Sequence, residues 1–126
     1  MKPIIFRLSV LSLCFFLIHC EKKEAKKAFK PNTGQIQILN ACGYSGAAEE
    51  MRNFLTQKGF DVVEFGNADS WNYKKTIVVA RTQNVQIAHD LGIILSTDKV
   101  IQLIDSSQMV DATIFVGKDY YERLAN

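Results

Sequence analysis

A chain of 126 residues is too short for two ordinary domains and long enough for one modest core. Its 15 basic and 13 acidic residues mislead as totals, because seven of the basic ones fall before Pro31. From Thr33 onward eight basic residues stand against eleven acidic ones, a mildly acidic balance that argues against a nucleic-acid partner.

Residues 1–20 read as a targeting segment outside the fold. Lys2 and Arg7 form a short positive region, and Leu8 to Ile18 is almost wholly apolar. That run has the length of a signal-peptide core and is too short to span a bilayer comfortably. It ends at Leu17-Ile18-His19-Cys20, followed at once by Glu-Lys-Lys-Glu, and so resembles a bacterial lipoprotein signal. Leu17 matches the usual large apolar residue three before the cysteine, while His19 stands where a small residue is usual. The resemblance implies that Cys20 is acylated, with diacylglycerol and fatty-acid (palmitate-type) chains, and becomes the new N-terminus. Two or more buried chains anchor stably where one does not. The alternatives are an uncleaved anchor or a soluble secreted form. With Cys14 removed and Cys20 acylated, Cys42 is the one thiol left, so packing rather than a disulfide must hold the domain.

Residues 21–34 read as a tether, rich in Lys and Glu and closed by the turn cluster Pro31-Asn32-Thr33-Gly34. Its lysines either touch anionic lipid or simply solvate the spacer.

The folded domain is expected over residues 35–126. Ile36, Ile38 and Leu39 predict a first strand ending at Asn40. Ser45 is placed to cap a helix, with Glu49 and Glu50 in its first turn, where the helix dipole favours acids. Ala47, Met51, Phe54 and Leu55 share one helical face, and Gly59 sits where a left-handed residue ends a helix. Phe60 to Phe65 predicts a second strand, and 67–75 a polar loop holding Trp71 and Tyr73. Thr76 to Ala80 is a β-branched run that suggests burial on both faces and hence a central strand. Asn84 is placed to cap a second helix carrying Val85, Ile87, Ala88, Leu91, Ile94 and Leu95. Lys99 to Ile104 and Ala112 to Val116 predict two more strands, the last followed by Gly117-Lys118-Asp119 and a short turn through Tyr120, Tyr121 and Leu124. The expected class is α+β. It is a β-α-β-β-α-β, ferredoxin-like sheet with an added C-terminal strand and its helices on one face. A small three-layer α/β arrangement is the alternative.

Four separated segments then carry a resemblance. Ile38-Leu39-Asn40-Ala41-Cys42-Gly43-Tyr44-Ser45-Gly46-Ala47-Ala48, the Leu-x-x-x-Gly-Phe of Leu55 to Phe60, Gly66-Asn67-Ala68, and Asp111 to Asp119 occur in the order found in one family. Together they resemble the C-terminal domain of the LytR/CpsA/Psr cell-envelope proteins, over nearly the whole domain. Cys42 stands where the family more often has Ser, Thr or Gly. The catalytic domain of full-length members, with its arginine-lined pyrophosphate site, is not among these residues. The resemblance therefore implies an accessory module of the cell envelope, periplasmic or on the outer surface, and no carried-over enzymatic activity.

The same turn invites comparison with a dinucleotide loop, since it joins a strand to a helix and Glu64 follows at a ribose-binding distance. Ala41 replaces the first glycine and the domain is too small for two nucleotide halves, so no cofactor is expected. Gly43 and Gly46 suit a tight turn. Free N–H groups at the helix start can instead bind an anion, which makes Asn40, Gly43, Ser45 and Gly46 candidate ligand residues. Trp71, Tyr73 and Tyr120 are candidates for stacking on a glycan or for a protein interface, and the alternative is that they fold back to cap the sheet. His89 has no second residue at ligand spacing, so no metal is expected. The leading expectation is a lipid-anchored module contacting peptidoglycan, an envelope polymer or its assembly machinery. A homo- or hetero-oligomeric interaction module comes next, and a thiol enzyme using Cys42 last.

Overall fold

The computed structural model describes residues 34–125. The signal-type segment with Cys20 and the tether up to Thr33 lie outside the described residues. The element order is β1 (Gln35–Asn40), α1 (Ala47–Gln57), β2 (Asp61–Asn67), β3 (Ile77–Ala80), α2 (Gln86–Ile94), β4 (Val100–Gln102), β5 (Ala112–Val116) and α3 (Tyr120–Leu124).

The strands form one sheet in the order β2-β1-β5-β3-β4. β1 runs parallel to β2 and to β5, β3 is antiparallel to β5, and β4 is parallel to β3. This is the small α+β, ferredoxin-like class expected, a five-stranded mixed sheet with three helices. One detail of connectivity differs from a split β-α-β arrangement. Each β-α-β unit closes on neighbouring strands, β1 beside β2 and β3 beside β4, and β5 zips the two units together between them. β5 is suited to that place: Ala112, Thr113, Ile114 and Val116 are all buried, and a strand paired on both edges, with β1 on one side and β3 on the other, leaves least of such a run exposed. β3, expected to be central, instead lies one place from the edge, and β5 takes the middle.

Period-two alternation divides the sheet into two faces. Ile36, Ile38, Val78, Ala80, Ala112, Ile114 and Val116 point to one face, where they share a single buried cluster with Met51 and Leu55 of α1 and Ile87 and Leu91 of α2. Because both helices feed that one cluster, the molecule has two layers, and the three-layer alternative does not form. Each fully buried Leu or Ile contributes about 1.5–3 kcal/mol of transfer free energy. The opposite face carries Gln37, Leu39, Thr113 and Phe115 and has no helix of the described residues over it.

Several local expectations shift by a residue or two. The N-cap of α1 is Gly46, at φ 82°, rather than Ser45, and no side chain caps it. Only glycine adopts that left-handed angle without cost, which is why the helix begins one residue late. α2 is preceded by Val85 rather than by an Asn84 cap, and no side chain caps it; the Asn84 N–H donates to Thr82 Oγ1 in the turn before it. β4 shortens to three residues at the sheet edge. Gly59 follows α1 at φ 90°, as predicted.

Candidate functional site

The turn after β1 is organised by one side chain. Asn40 Oδ1 accepts hydrogen bonds from the Cys42 and Gly43 backbone N–H groups, each at 3.2 Å, and from the Cys42 thiol. Its Nδ2 donates to the Tyr44 carbonyl at 2.7 Å. This is an Asx-type turn, in which a short polar side chain stands in for backbone. It corrects the sequence-based expectation for this stretch: the N–H groups of Cys42 and Gly43 are already spent on Asn40, so they are not free for an anion. Asn40, Gly43 and Ser45 nevertheless come together with Asn67 and Trp71 around a hollow of about 210 Å³. Trp71 is held over it by Nε1 donating to the Ala68 carbonyl, and 62% of its surface stays exposed. Gly46 opens α1 beside this hollow without lining it.

Of the other two candidate aromatics, Tyr73 stands on the helix-free face, its ring 5.7 Å from Phe115. Tyr120 does not reach any surface. It is 1% exposed, within the core cluster, and burial pushes its phenol pKa up. It is a core residue, and a stacking or interface role for it is withdrawn. The first turn of α3 turns it inward, while Tyr121 beside it is exposed.

The helix-free face holds the larger polar groove, about 310 Å³, lined among others by Gln37, Leu39, Asp69, Tyr73, Arg81 and Phe115. Backbone bonds fix its walls. Tyr73 N donates to the Ala41 carbonyl, and the Tyr73 carbonyl accepts from Lys118 N, which pins the loop after β2 across the ends of β1 and β5. Arg81, just past β3, donates through its backbone to the Asp111 carbonyl, and its own carbonyl accepts from Asp105 N. The guanidinium lies 5.9 Å from the Phe115 ring centre. Its Nε donates to Thr113 Oγ1 at 3.0 Å, and that hydroxyl donates in turn to Gln37 Oε1 at 3.1 Å. Thr113 is fully buried, so the relay sets the direction of Arg81 from inside the sheet.

Sequence reasoning missed Gln37, Arg81 and Phe115. A signal was available: Gln35 and Gln37 alternate with Ile36 and Ile38, and that alternation marks a polar face to β1. Only the pairing of β1 with β5 and of β5 with β3 brings Phe115 and Arg81 onto the same face.

The Gly117-Lys118-Asp119 segment ties the domain together. Asp119 Oδ1 accepts from the Thr76 backbone N–H at 2.7 Å and from its hydroxyl at 2.8 Å. Oδ2 accepts from Arg123 Nε and Nη2, and Arg123 Nη1 donates to the Ser96 carbonyl. Thr76 Oγ1 accepts from Gly117 N, and the Thr97 hydroxyl donates to the Thr76 carbonyl. Burial alone would raise the Asp119 pKa, but the donors from Thr76 and Arg123 outweigh it and hold the carboxyl below its ordinary value of 3.8.

Cys42 is 3% exposed, and its thiol donates to Asn40. His89 sits on α2 against Asp90 and lines a different hollow, with Gly92, Ile93 and Val100. Among the described residues no group of His, Cys, Asp and Glu is arranged to hold a metal. Nor is any helix among them long and apolar enough to cross a membrane.

Residues 33–120 match the LytR_C family model, described as LytR cell envelope-related transcriptional attenuator. No curated protein and no solved structure matches the chain.

Proposed function

The chain belongs to the LytR C-terminal family, and from that premise we propose that it is a lipid-anchored binding module that holds an envelope polymer, such as peptidoglycan, in the groove on the helix-free face of its sheet. The family points to the cell envelope, and the groove is the observation that carries the finer reading. It combines an aromatic pair, Tyr73 and Phe115, with preset polar groups on Gln37 and Arg81. Apolar ring faces flanked by a few oriented donors are what sugar rings require. Trp71 over the neighbouring hollow extends the same surface. Anchoring is assigned to acylated Cys20, with residues 21–34 as the spacer.

The reading is a binding role rather than a catalytic one. Cys42, the thiol that invited an enzymatic reading, is enclosed and committed to the Asn40 turn. A nucleic-acid role is not proposed, since the domain lacks the basic excess that phosphate backbones demand.

The test is co-sedimentation of the full chain, in non-ionic detergent, with purified sacculi. Sedimentation above an unrelated control domain, lost in a Tyr73→Ala/Phe115→Ala double variant, is expected. A chain that stays in the supernatant overturns the polymer reading. Anchoring is checked separately by metabolic labelling of expressing cells with a fatty-acid analogue: label on the unaltered chain that is lost in Cys20→Ser is expected, and an unlabelled unaltered chain refutes the lipid anchor.

One observation favours a second reading, a protein-interaction module. The β4 edge and the loop after it expose Ile101, Leu103, Ile104 and Met109, and an uncovered apolar edge invites pairing. Sedimentation velocity across a concentration series decides its self-association form, and a strict monomer rejects it.

A further inference from the structure

We infer that the groove on the helix-free face selects sugars that carry a carboxylate, with Arg81 as the residue that reads the charge. The inference rests on the polymer-binding reading and names the chemical class of the unit bound.

Part of the groove's hydrogen-bonding capacity is already spent within the fold. Arg81 uses only Nε, on Thr113 Oγ1. Its two terminal amino groups make no hydrogen bond or ion pair among the described residues. Asp105, whose carboxylate feels the Arg81 charge without pairing with it, is engaged by the Ser107 backbone N–H at 3.0 Å and its hydroxyl at 2.6 Å. Gln37 has its Oε1 committed to Thr113, which leaves its amide N–H groups as donors. The groove therefore presents a guanidinium fork and an amide, both donating, on a fixed relay. A planar carboxylate is the acceptor that fits such a fork in a bidentate way.

A simple carboxylate would leave the rest of the groove without a partner. Tyr73 and Phe115 offer apolar surface, and Asp69, which lines the same groove, accepts hydrogen bonds that sugar hydroxyls supply. One acidic sugar serves all three. The volume, about 310 Å³, stands at the small end for ligand pockets and suits one such unit of a chain. Because Thr113 is buried and orients Arg81 before any ligand arrives, little ordering cost falls on binding.

The test uses the full chain in non-ionic detergent at low ionic strength, where charge recognition is least screened. Two probes differ chiefly in the carboxylate: a tetrasaccharide alternating glucuronic acid with N-acetylglucosamine, and the neutral N-acetylglucosamine tetramer. Titration calorimetry is expected to give about tenfold tighter binding of the acidic probe, the scale of a charge-assisted pair. That preference should vanish in Arg81→Gln. It should fall in Thr113→Val, which keeps the charge and removes only its alignment, so Thr113 is a positioning residue. Thermal melts of both variants serve as the folding control. Equal affinity for the two probes in the unaltered chain, or a preference that survives in a folded Arg81→Gln, overturns the inference. A chain that sediments with sacculi yet shows no acidic preference overturns this inference alone. One that neither sediments nor binds either probe overturns the polymer reading with it.

Discussion

Replacing Asp119 by Ala removes the acceptor on which the start of β3 and the last helix converge. Two donors from Thr76, at 2.7 and 2.8 Å, and the Arg123 fork, at 2.9 and 3.0 Å, lose their partner together. Thr76 is fully buried, and the Asp119–Arg123 side chains are only 5% and 16% exposed, so water does not take the place of the carboxylate. Breaking a buried pair by deleting one partner costs about 3–5 kcal/mol. For a domain of this size each kcal/mol lowers Tm by roughly 4–8 °C, so a fall of about 12 °C or more is expected. Asp119→Asn keeps an oxygen for Thr76 but loses the charge facing Arg123, and should cost about 1–3 kcal/mol. Circular-dichroism melts at pH 7 measure both. The pH dependence follows from the direction of the shift. The folded pKa lies below the ordinary 3.8, so the stabilisation is fully present above the unfolded value and is lost as pH falls through the folded one. The gap between the unaltered chain and Asp119→Asn should thus hold from pH 7 to about 5 and narrow below about 4. A Tm for Asp119→Ala within about 3 °C of the unaltered chain, or a gap that widens on acidification, would refute the reasoning.

Three further outcomes follow from the same contacts. A Cβ at Gly117 would lie 2.5 Å from the Lys75 carbonyl oxygen and the Thr76 nitrogen, both backbone. Gly117→Ala should therefore cost about 3 kcal/mol in urea unfolding, while Gly92→Ala, which meets a Val100 methyl at 2.6 Å and backbone only at 3.3 Å, costs less. The reverse ranking would contradict the packing described. Asn40→Ala strips the turn of its organiser and should lower the urea midpoint by the equivalent of about 2 kcal/mol, with unchanged m. A midpoint equal to the unaltered chain's would mean that the turn holds itself. Cys42, tested in a Cys14→Ser/Cys20→Ser background, should react with a bulky maleimide only as urea unfolds the domain. Labelling at the rate of a free thiol under native conditions would reopen the question of a reactive cysteine.

Much of the fold is legible along the chain because its signals are local. The alternation in β1, the 3.6-residue stripe from Ala47 to Leu55, the glycine after α1 and the apolar run of β5 each depend on residues within about four positions of one another. The family too is readable, since each of the four segments that carry it is short and continuous and their order is read directly along the chain. The misplacements have equally local causes. Ser45 looks like a cap by composition, but the left-handed angle needed at the helix start selects Gly46. Tyr120 and Tyr121 are neighbours of the same type, and nothing in the sequence tells which one the short last helix turns inward.

The sequence by itself determined the elements, their order, the class of fold and the family, all consequences of short-range periodicity and turn chemistry. Only the tertiary structure decided that β5 lies between the two β-α-β units, because β5 finds its place by pairing with β1 and β3 over long separations. That placement decides the rest. It joins Asp119 to Thr76 across 43 positions, and it lines up Arg81, Thr113 and Gln37, spaced 32 and 76 positions apart, on one uncovered face. Hydrogen bonds between residues so distant in sequence exist only once the sheet has closed, so the groove they build could not be read from any single stretch of the chain.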